Sequence, residues 1–406
     1  MRRQGRITGY RNWGEHAGHV RKQVDISHLW RPCSDQDHVF AFSDYSLGDA
    51  KQSFDHGLWA VQGNDIRALC SVYEIDGKLS QSTSLLSNND DILIHETFWL
   101  PFLEGSGFIQ KLDCAAGTAV IDDFLYGQID EFGMPLLFFT GNENWGHWII
   151  DVLGNLLALE YFPELADRRI LFSLLTPVQL ECLDLIGIAR ERIMYLPAPS
   201  VTTSSILLRD AVVTSPPPES LIYPWLSERM RQGAGGPSPS ASDRIFLSRR
   251  RYYPSHRICN QDEVERLFED RGFHILTPET MSVGDYVRAV SRARMIAGAS
   301  GGALGNFLLA PTNCLQIHLM PDDFRNNFSG GSVLNRKFFG KYYYPLLDRM
   351  TMVFGDTANP LSQAFAKEGG NGVMGLDLPP VFDLKALDHA IMMAEKRLAI
   401  EDRLAR

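Results

Sequence analysis

Between Leu136 and Leu319, short apolar runs alternate with stretches whose apolar residues recur at helical spacing, and this alternation limits the fold more than any other feature. Strand-like runs fall at 136–139, 169–172, 193–196, 206–208, 245–247, 273–276, 295–297 and 315–319. Helical stretches fall at 147–161, 178–186, 261–271 and 283–293. Strands separated by helices cannot pair as hairpins, so the pattern predicts parallel sheets with helices packed on them.

The alternation is interrupted once. Pro216-Pro217-Pro218 and then Gly233-Ala234-Gly235-Gly236-Pro237-Ser238-Pro239-Ser240 offer little that can pack, and they read as a linker between two α/β units. A chain of 406 residues, at roughly 150 per domain, suits two such units. The predicted division is 1–215 for an N-terminal acceptor-side Rossmann-like domain, 216–242 for the linker and 243–380 for a C-terminal Rossmann-like domain. An amphipathic helix at 384–404, within a closing segment 381–406, is expected to pack back across both. Asn260 with Glu263 three residues on predicts a capping box at the start of 261–271. The first hundred residues have weak periodicity, with a strand expected only at 92–100.

Composition excludes several classes. A net charge of −10 argues against a nucleic-acid binder. No stretch approaches the roughly 18 apolar residues of a membrane span, and the basic start, Met1-Arg2-Arg3-Gln4-Gly5-Arg6, is not followed by an apolar signal core. Peripheral association with an inner membrane stays compatible with that. Cys33, Cys70, Cys114, Cys182, Cys259 and Cys314 are scattered without CxxC pairs, as reduced buried thiols of a cytoplasmic protein are. Asp35-Gln36-Asp37 is formally a DxD metal motif, but it follows no apolar strand, and no metal is expected.

Three segments can carry chemistry. In the first, Asn142 to Asn155, the residues His147, Asp151 and Asn155 recur at i, i+4 and i+8 on an otherwise apolar helix, beside Asn144, Trp145 and Trp148. With Asn144 as cap, His147 lies in the first turn, where the helix dipole keeps its ring neutral and able to accept a proton. His147, or Asp151 itself, is therefore the candidate base for deprotonating an acceptor hydroxyl. The second segment, Arg244 to Arg251 with Arg257 following, ends a strand in Ser248-Arg249-Arg250-Arg251, and planar guanidinium forks at a strand's carboxyl end suit a diphosphate. The third, Ala297 to Asn306, threads Gly298, Ser300, Gly301, Gly302 and Gly305 into a helix, where backbone amides can approach phosphate oxygens. Gly298-x-Ser300-x-Gly302 also fits a serine-hydrolase elbow, with Asp348 and His389 following in triad order, and it is carried as an alternative reading.

In this order and spacing the three segments resemble glycosyltransferase family 61, over roughly 136–321. The family's His-Trp-x-x-Asp helix start looks like His147-Trp148 with Asp151, and its Ile-Ser-Arg strand end looks like Leu247-Ser248-Arg249. Its downstream Arg and Asn-x-x-Glu look like Arg257 and Asn260 with Glu263. In the glycine-rich turn Ser300 stands where the family usually has His, while Gly301, Asn306, Phe307 and Pro311 fit; His318 stands where the family tends to an acid. The resemblance implies a GT-B fold with two Rossmann-like domains facing across a cleft, and inverting transfer of a hexosyl or pentosyl group without an obligatory metal or other cofactor. The donor would be a nucleotide sugar, UDP-linked by expectation, and the acceptor a carbohydrate in capsular, exo- or lipopolysaccharide synthesis. Arg249, Arg250, Arg257, Ser300, Gly301, Gly302, Asn306 and His318 would border the donor, and Asn144, Trp145 and Asn155 the acceptor. A nucleotide-binding but inactive relative is the remaining alternative.

Overall fold

The computed structural model describes strand backbones within residues 2–138 and, more continuously, residues 145–172, 175–195, 203–208, 211–214, 217, 219–239, 241–250, 258–299, 304–322, 349–367 and 379–406. The chain divides into two compact units, Met1–Ile222 and Tyr223–Arg406.

The first unit holds fourteen described strands: β1 Arg2–Thr8, β2 Val20–Asp25, β3 Gly57–Gly63, β4 Ile66–Ile75, β5 Lys78–Ser87, β6 Ile92–Ile94 and β7 Ile109–Asp113. They continue as β8 Thr118–Asp122, β9 Gly127–Ile129, β10 Leu137–Phe138, β11 Ile170–Phe172, β12 Ile193–Tyr195, β13 Thr203–Leu208 and β14 Ala211–Thr214. They form two sheets, not the single doubly wound sheet expected. An eight-stranded, mostly antiparallel sheet runs β7-β8-β1-β6-β5-β4-β13-β9. A six-stranded sheet runs β12-β11-β10-β14-β3-β2, parallel from β12 to β14 and antiparallel through β3 and β2. The expected strand 206–208 therefore leaves the parallel sheet: β13 pairs antiparallel with β4, and two residues later β14 lies beside β10. Where a strand was expected over 92–100, only Ile92–Ile94 is described as one.

Within the six-stranded sheet the parallel strands β10, β11, β12 and β14 stand in the order third, second, first, fourth. The order reverses between β10 and β14. Beyond the carboxyl end of β10 comes the helical run 145–161: α1 Trp145–His147, a π-helical Trp148–Leu153, a 3₁₀ turn Gly154–Leu157, and α2 Ala158–Tyr161. Sequence periodicity predicts one regular α-helix here, but the run is apolar on nearly every side. Trp148, Ile149, Ile150, Val152, Leu153, Leu156, Leu157 and Ala158 are all buried, so packing rather than a single stripe sets its winding. A Cβ on Gly154 would fall 2.5 Å from the Ile222 side chain, which explains glycine at that position. Helix α3, Pro177–Leu185, follows β11 and begins with a complete capping box between Thr176 and Gln179.

In the second unit the sequence expectation of a doubly wound parallel sheet holds, and the sheet is wider than expected. Strands β15 Arg244–Leu247, β16 His274–Leu276, β17 Met295–Ala299, β18 Leu315–Pro321 and β19 Met350–Gly355 are parallel, in the order β16-β15-β17-β18-β19. Its described helices are α4 Glu219–Gly233, which the unit division enters at Tyr223, α5 Gln261–Asp270, α6 Val283–Val290, α7 Leu304–Phe307, α8 Pro360–Lys367 and α9 Leu384–Leu404. Much of the expected linker 216–242 is thus the helix α4, which runs through Pro224, followed by a hydrogen-bonded glycine turn where Gly235 and Gly236 take positive φ.

Alternation along β18 shows how the layers form. Leu315, Ile317 and Leu319 join Val264 and Phe268 of α5 and Leu387, Ile391 and Ala394 of α9 in one core. Gln316 and His318 point to the other face, toward Phe307 of α7. Helix α9 therefore packs on its own unit's sheet. Its acidic residues meet arginines at the amino ends of the strands: Arg244 with Glu395 at 2.6 Å, Arg271 with Asp388, Arg294 with Asp402 at 2.5 Å and Arg349 with Glu401 at 2.7 Å.

The expected capping box at α5 does not form. Asn260 occupies the cap position without a side-chain cap bond. Its amide instead donates to Phe382 O at 2.9 Å and accepts from Phe382 N at 3.0 Å, satisfying both backbone groups of a residue far along the chain. An amide can do both at once; a cap uses only its oxygen.

Candidate active site

In the second unit the strand order also reverses, between β15 and β17. Ligands of open parallel sheets lie outside the carboxyl ends at such a reversal, because neighbouring connections leave to opposite faces and open a crevice. The second and third sequence segments extend from those two strand ends: Ser248-Arg249-Arg250 continues from β15, and Ser300 to Ala303 continues from β17. In the first unit, the segment from Asn142 comes after β10, the strand at the other reversal.

The β15 end is tightly built. Ser248 N donates to Leu276 O at 2.7 Å, extending the pairing with β16, and Ser248 Oγ donates to Glu265 Oε1 at 2.6 Å. Glu265, buried on α5, also accepts from Gln261 Nε2 and from Arg250 Nη2, each at 2.6 Å. Arg250 reaches Asp262 Oδ1 at 2.6 Å as well, and this pairing, with Glu265 first, raises its guanidinium pKa further. Arg249 is only 7% exposed, and its Nε lies 3.0 Å from Glu279 Oε1 in the 3₁₀ turn Pro278–Thr280 after β16. At the strand end Arg249 is thus buried beside Glu279, while Arg250 is exposed but paired with Glu265 and Asp262. Glu265 and Glu279 were missed in the sequence, where nothing but their distance behind a strand end sets them apart.

At the β17 end the glycine has a packing cause. A Cβ on Gly298 would sit 3.0 Å from both the Cβ and the carbonyl oxygen of Leu247 on β15, so glycine lets the two strands close at the reversal. Ser300, Gly301 and Gly302, like Arg257 and Asn144, lie outside the described residues, as does Asp35-Gln36-Asp37. The helix after this segment, α7, is described over a single turn ending at Phe307, where the sequence suggested a helix continuing through Leu309, so its dipole offers little. Its carboxyl end is pinned by side chains. Tyr286 Oη donates to Asn306 O at 2.9 Å, and Gln316 Nε2 donates to Phe307 O at 3.4 Å. Asn306 itself is buried.

His318 is fully buried, stacked on Phe307 with centroids 4.2 Å apart, and its Nε2 lies 2.9 Å from Gln316 Oε1. Burial pushes its pKa down to about 3, so the ring is neutral. The structure seals it against Phe307 in the support of α7, where the resemblance implied a residue bordering the donor.

In the first unit, Trp148 anchors the start of the helical run in the core, 6.2 Å from Phe172 of β11. The Cys182 thiol, buried on α3, is pushed up to about 12 by desolvation. His147 ends α1 and Asp151 lies inside the π-helical segment; Trp145 and Asn155 are half-buried along the same run. Wide π turns are uncommon and are found often at functional sites.

The Glycosyltransferase 61 family model matches residues 145–317, from the first residue of α1 into β18. This region belongs to glycosyltransferase family 61. The matched stretch holds the second and third segments and the first from Trp145 onward, and the family indicates a glycosyltransferase. No curated protein matches the chain. The glycosyltransferase 61 match supports the transferase reading and gives none to the hydrolase one: Ser300 and Asp348 lie outside the described residues, and His389 is exposed on α9.

Proposed function

We propose that this chain is an inverting GT-B-type glycosyltransferase that moves a hexosyl or pentosyl group from a nucleotide sugar, UDP-linked by preference, to a carbohydrate acceptor in capsular, exo- or lipopolysaccharide synthesis, without a metal. The observation that carries the reading is the strand reversal in the second unit between β15, whose end runs into Ser248-Arg249, and β17, which the glycine-rich segment follows in the sequence. Arg249, held in orientation by Glu279, and the amides of 300–302 take the diphosphate, with Arg250 and Arg257 adding positive charge. His147 or Asp151 removes the proton from the attacking acceptor hydroxyl as the bond from the anomeric carbon to the diphosphate breaks. Stabilising the charge that develops on the departing nucleoside diphosphate is the larger catalytic contribution.

The test is release of nucleoside diphosphate from a panel of UDP-, GDP- and dTDP-sugars, and of CMP from CMP-sugars, with and without EDTA, for the intact chain and the His147→Ala and Asp151→Asn variants. Release is expected with one nucleotide class, insensitive to EDTA, with a loss of roughly 10²-fold or more in one of the two variants, on the order expected of a general base. Release from none of the donors, or abolition by EDTA, contradicts the proposal.

A further inference from the structure

Helix α9 sorts its side chains into three stripes. Leu387, Ile391, Ala394 and Leu398 face the sheet. Asp388, Glu395 and Asp402, seven residues apart, face the strand-end arginines Arg271, Arg244 and Arg294. The third stripe faces outward: Lys385, His389, Met393, Lys396, Ile400 and Arg403 recur at spacings of four and three, and every one is exposed. Leu404 continues it, 82% exposed; Met393 is 49% and Ile400 55% exposed. Arg397 lies at its edge, with its Nε donating to Glu401 Oε1 at 3.1 Å.

The outward stripe contains no carboxylate, in a chain whose net charge is −10. A merely solvated helix face mixes the two signs. Here the acids are drawn to the arginine side, and cations flank a line of large apolar residues, the pattern of a helix that lies flat on an anionic lipid surface. Self-pairing of two copies through this face would set cation against cation. A nucleic-acid backbone would make no use of Met393, Ile400 and Leu404. We propose that the outer face of α9 docks on anionic membrane lipid, with Met393, Ile400 and Leu404 entering the headgroup layer and Lys385, Lys396 and Arg403 against lipid phosphates. The proposal is independent of the donor-site reading.

The experiment is flotation of the full chain with vesicles of phosphatidylcholine alone or mixed with phosphatidylglycerol. The chain should float with the anionic vesicles only, and less so as potassium chloride is raised. The double variant Lys396→Glu with Arg403→Glu should stay at the bottom of the gradient. Ile400→Ser with Leu404→Ser should float several-fold less while keeping the salt dependence. All four positions are exposed, so the melting temperature should stay unchanged, and it is measured in parallel. No flotation with anionic vesicles, or undiminished flotation of the charge-reversed variant, overturns the proposal. So does flotation of the serine variant at the parent level, or retention of a single-stranded oligonucleotide in place of vesicles.

Discussion

Ser248 Oγ and Glu265 Oε1 lie 2.6 Å apart, both residues buried, and this contact ties the end of β15 to helix α5 at the strand reversal. Glu265 takes two more donors, Gln261 and Arg250, so removing it strands a buried hydroxyl as well as breaking an ion pair. Glu265→Ala should therefore cost about 1–3 kcal/mol of stability, measured by urea unfolding. Asp262→Ala removes the other partner of Arg250, a pair in which both side chains are largely exposed, and should cost under about 1 kcal/mol. Equal effects would show that the buried network is not what holds this strand end.

The two-way bond between Asn260 and Phe382 separates two roles that one residue could play. As a helix cap, Asn260 could be exchanged for Asp with little loss. As a bridge it needs the amide donor as well as the oxygen, and an aspartate in its place would set a carboxylate against Phe382 O. Asn260→Asp should lose about 1–3 kcal/mol in thermal or urea unfolding. A neutral or stabilising result favours the cap.

His318 predicts a pH dependence. Its folded pKa of about 3 lies below the unfolded value near 6.5, so above that value both states are neutral and the group adds no slope. As pH falls from about 6.5 toward about 3, the unfolded chain binds a proton that the folded one refuses, and stability drops by up to about 1.4 kcal/mol per pH unit. His318→Gln should remove this contribution, flattening the curve of unfolding free energy against pH over that window. Parallel curves for the two proteins would mean that the ring protonates in the folded state.

Gly298→Ala tests the close approach at the reversal. The added methyl meets Leu247 side chain and backbone at 3.0 Å, and the carbonyl cannot yield without disturbing the β15–β17 pairing, so a loss of about 1–3 kcal/mol is expected. A variant as stable as the parent would show that the strands adjust freely.

The second unit was legible in the sequence because each of its elements has local cues: apolar runs of strand length, helices with apolar stripes, and glycines at turns. Of the first unit the parallel strands β10, β11 and β12 were legible for the same reason, but its eight-stranded sheet was not, because pairings such as β1 with β8 and β13 with β4 join distant segments. One local cue was overlooked. Ile75 pairs with Lys78, leaving Asp76-Gly77 as the two-residue link between β4 and β5, a sequence type that favours a hairpin. At the site, Arg249 and His318 could be named from the sequence, but their surroundings could not. Whether a guanidinium is solvated or held by Glu279, and whether an imidazole is exposed or sealed against Phe307, depends on contacts that no spacing rule encodes.

A nucleotide site at the reversal between β15 and β17 is the central claim, and thermal melting of the chain against UDP, GDP, CMP and dTDP tests it most directly. A ligand at about 100 times its dissociation constant adds about 2.7 kcal/mol, enough for a clear rise in melting temperature. One nucleotide should stand out, with or without magnesium, and Arg249→Ala should abolish its shift. No shift with any nucleotide, or an equal shift in Arg249→Ala, would contradict the claim.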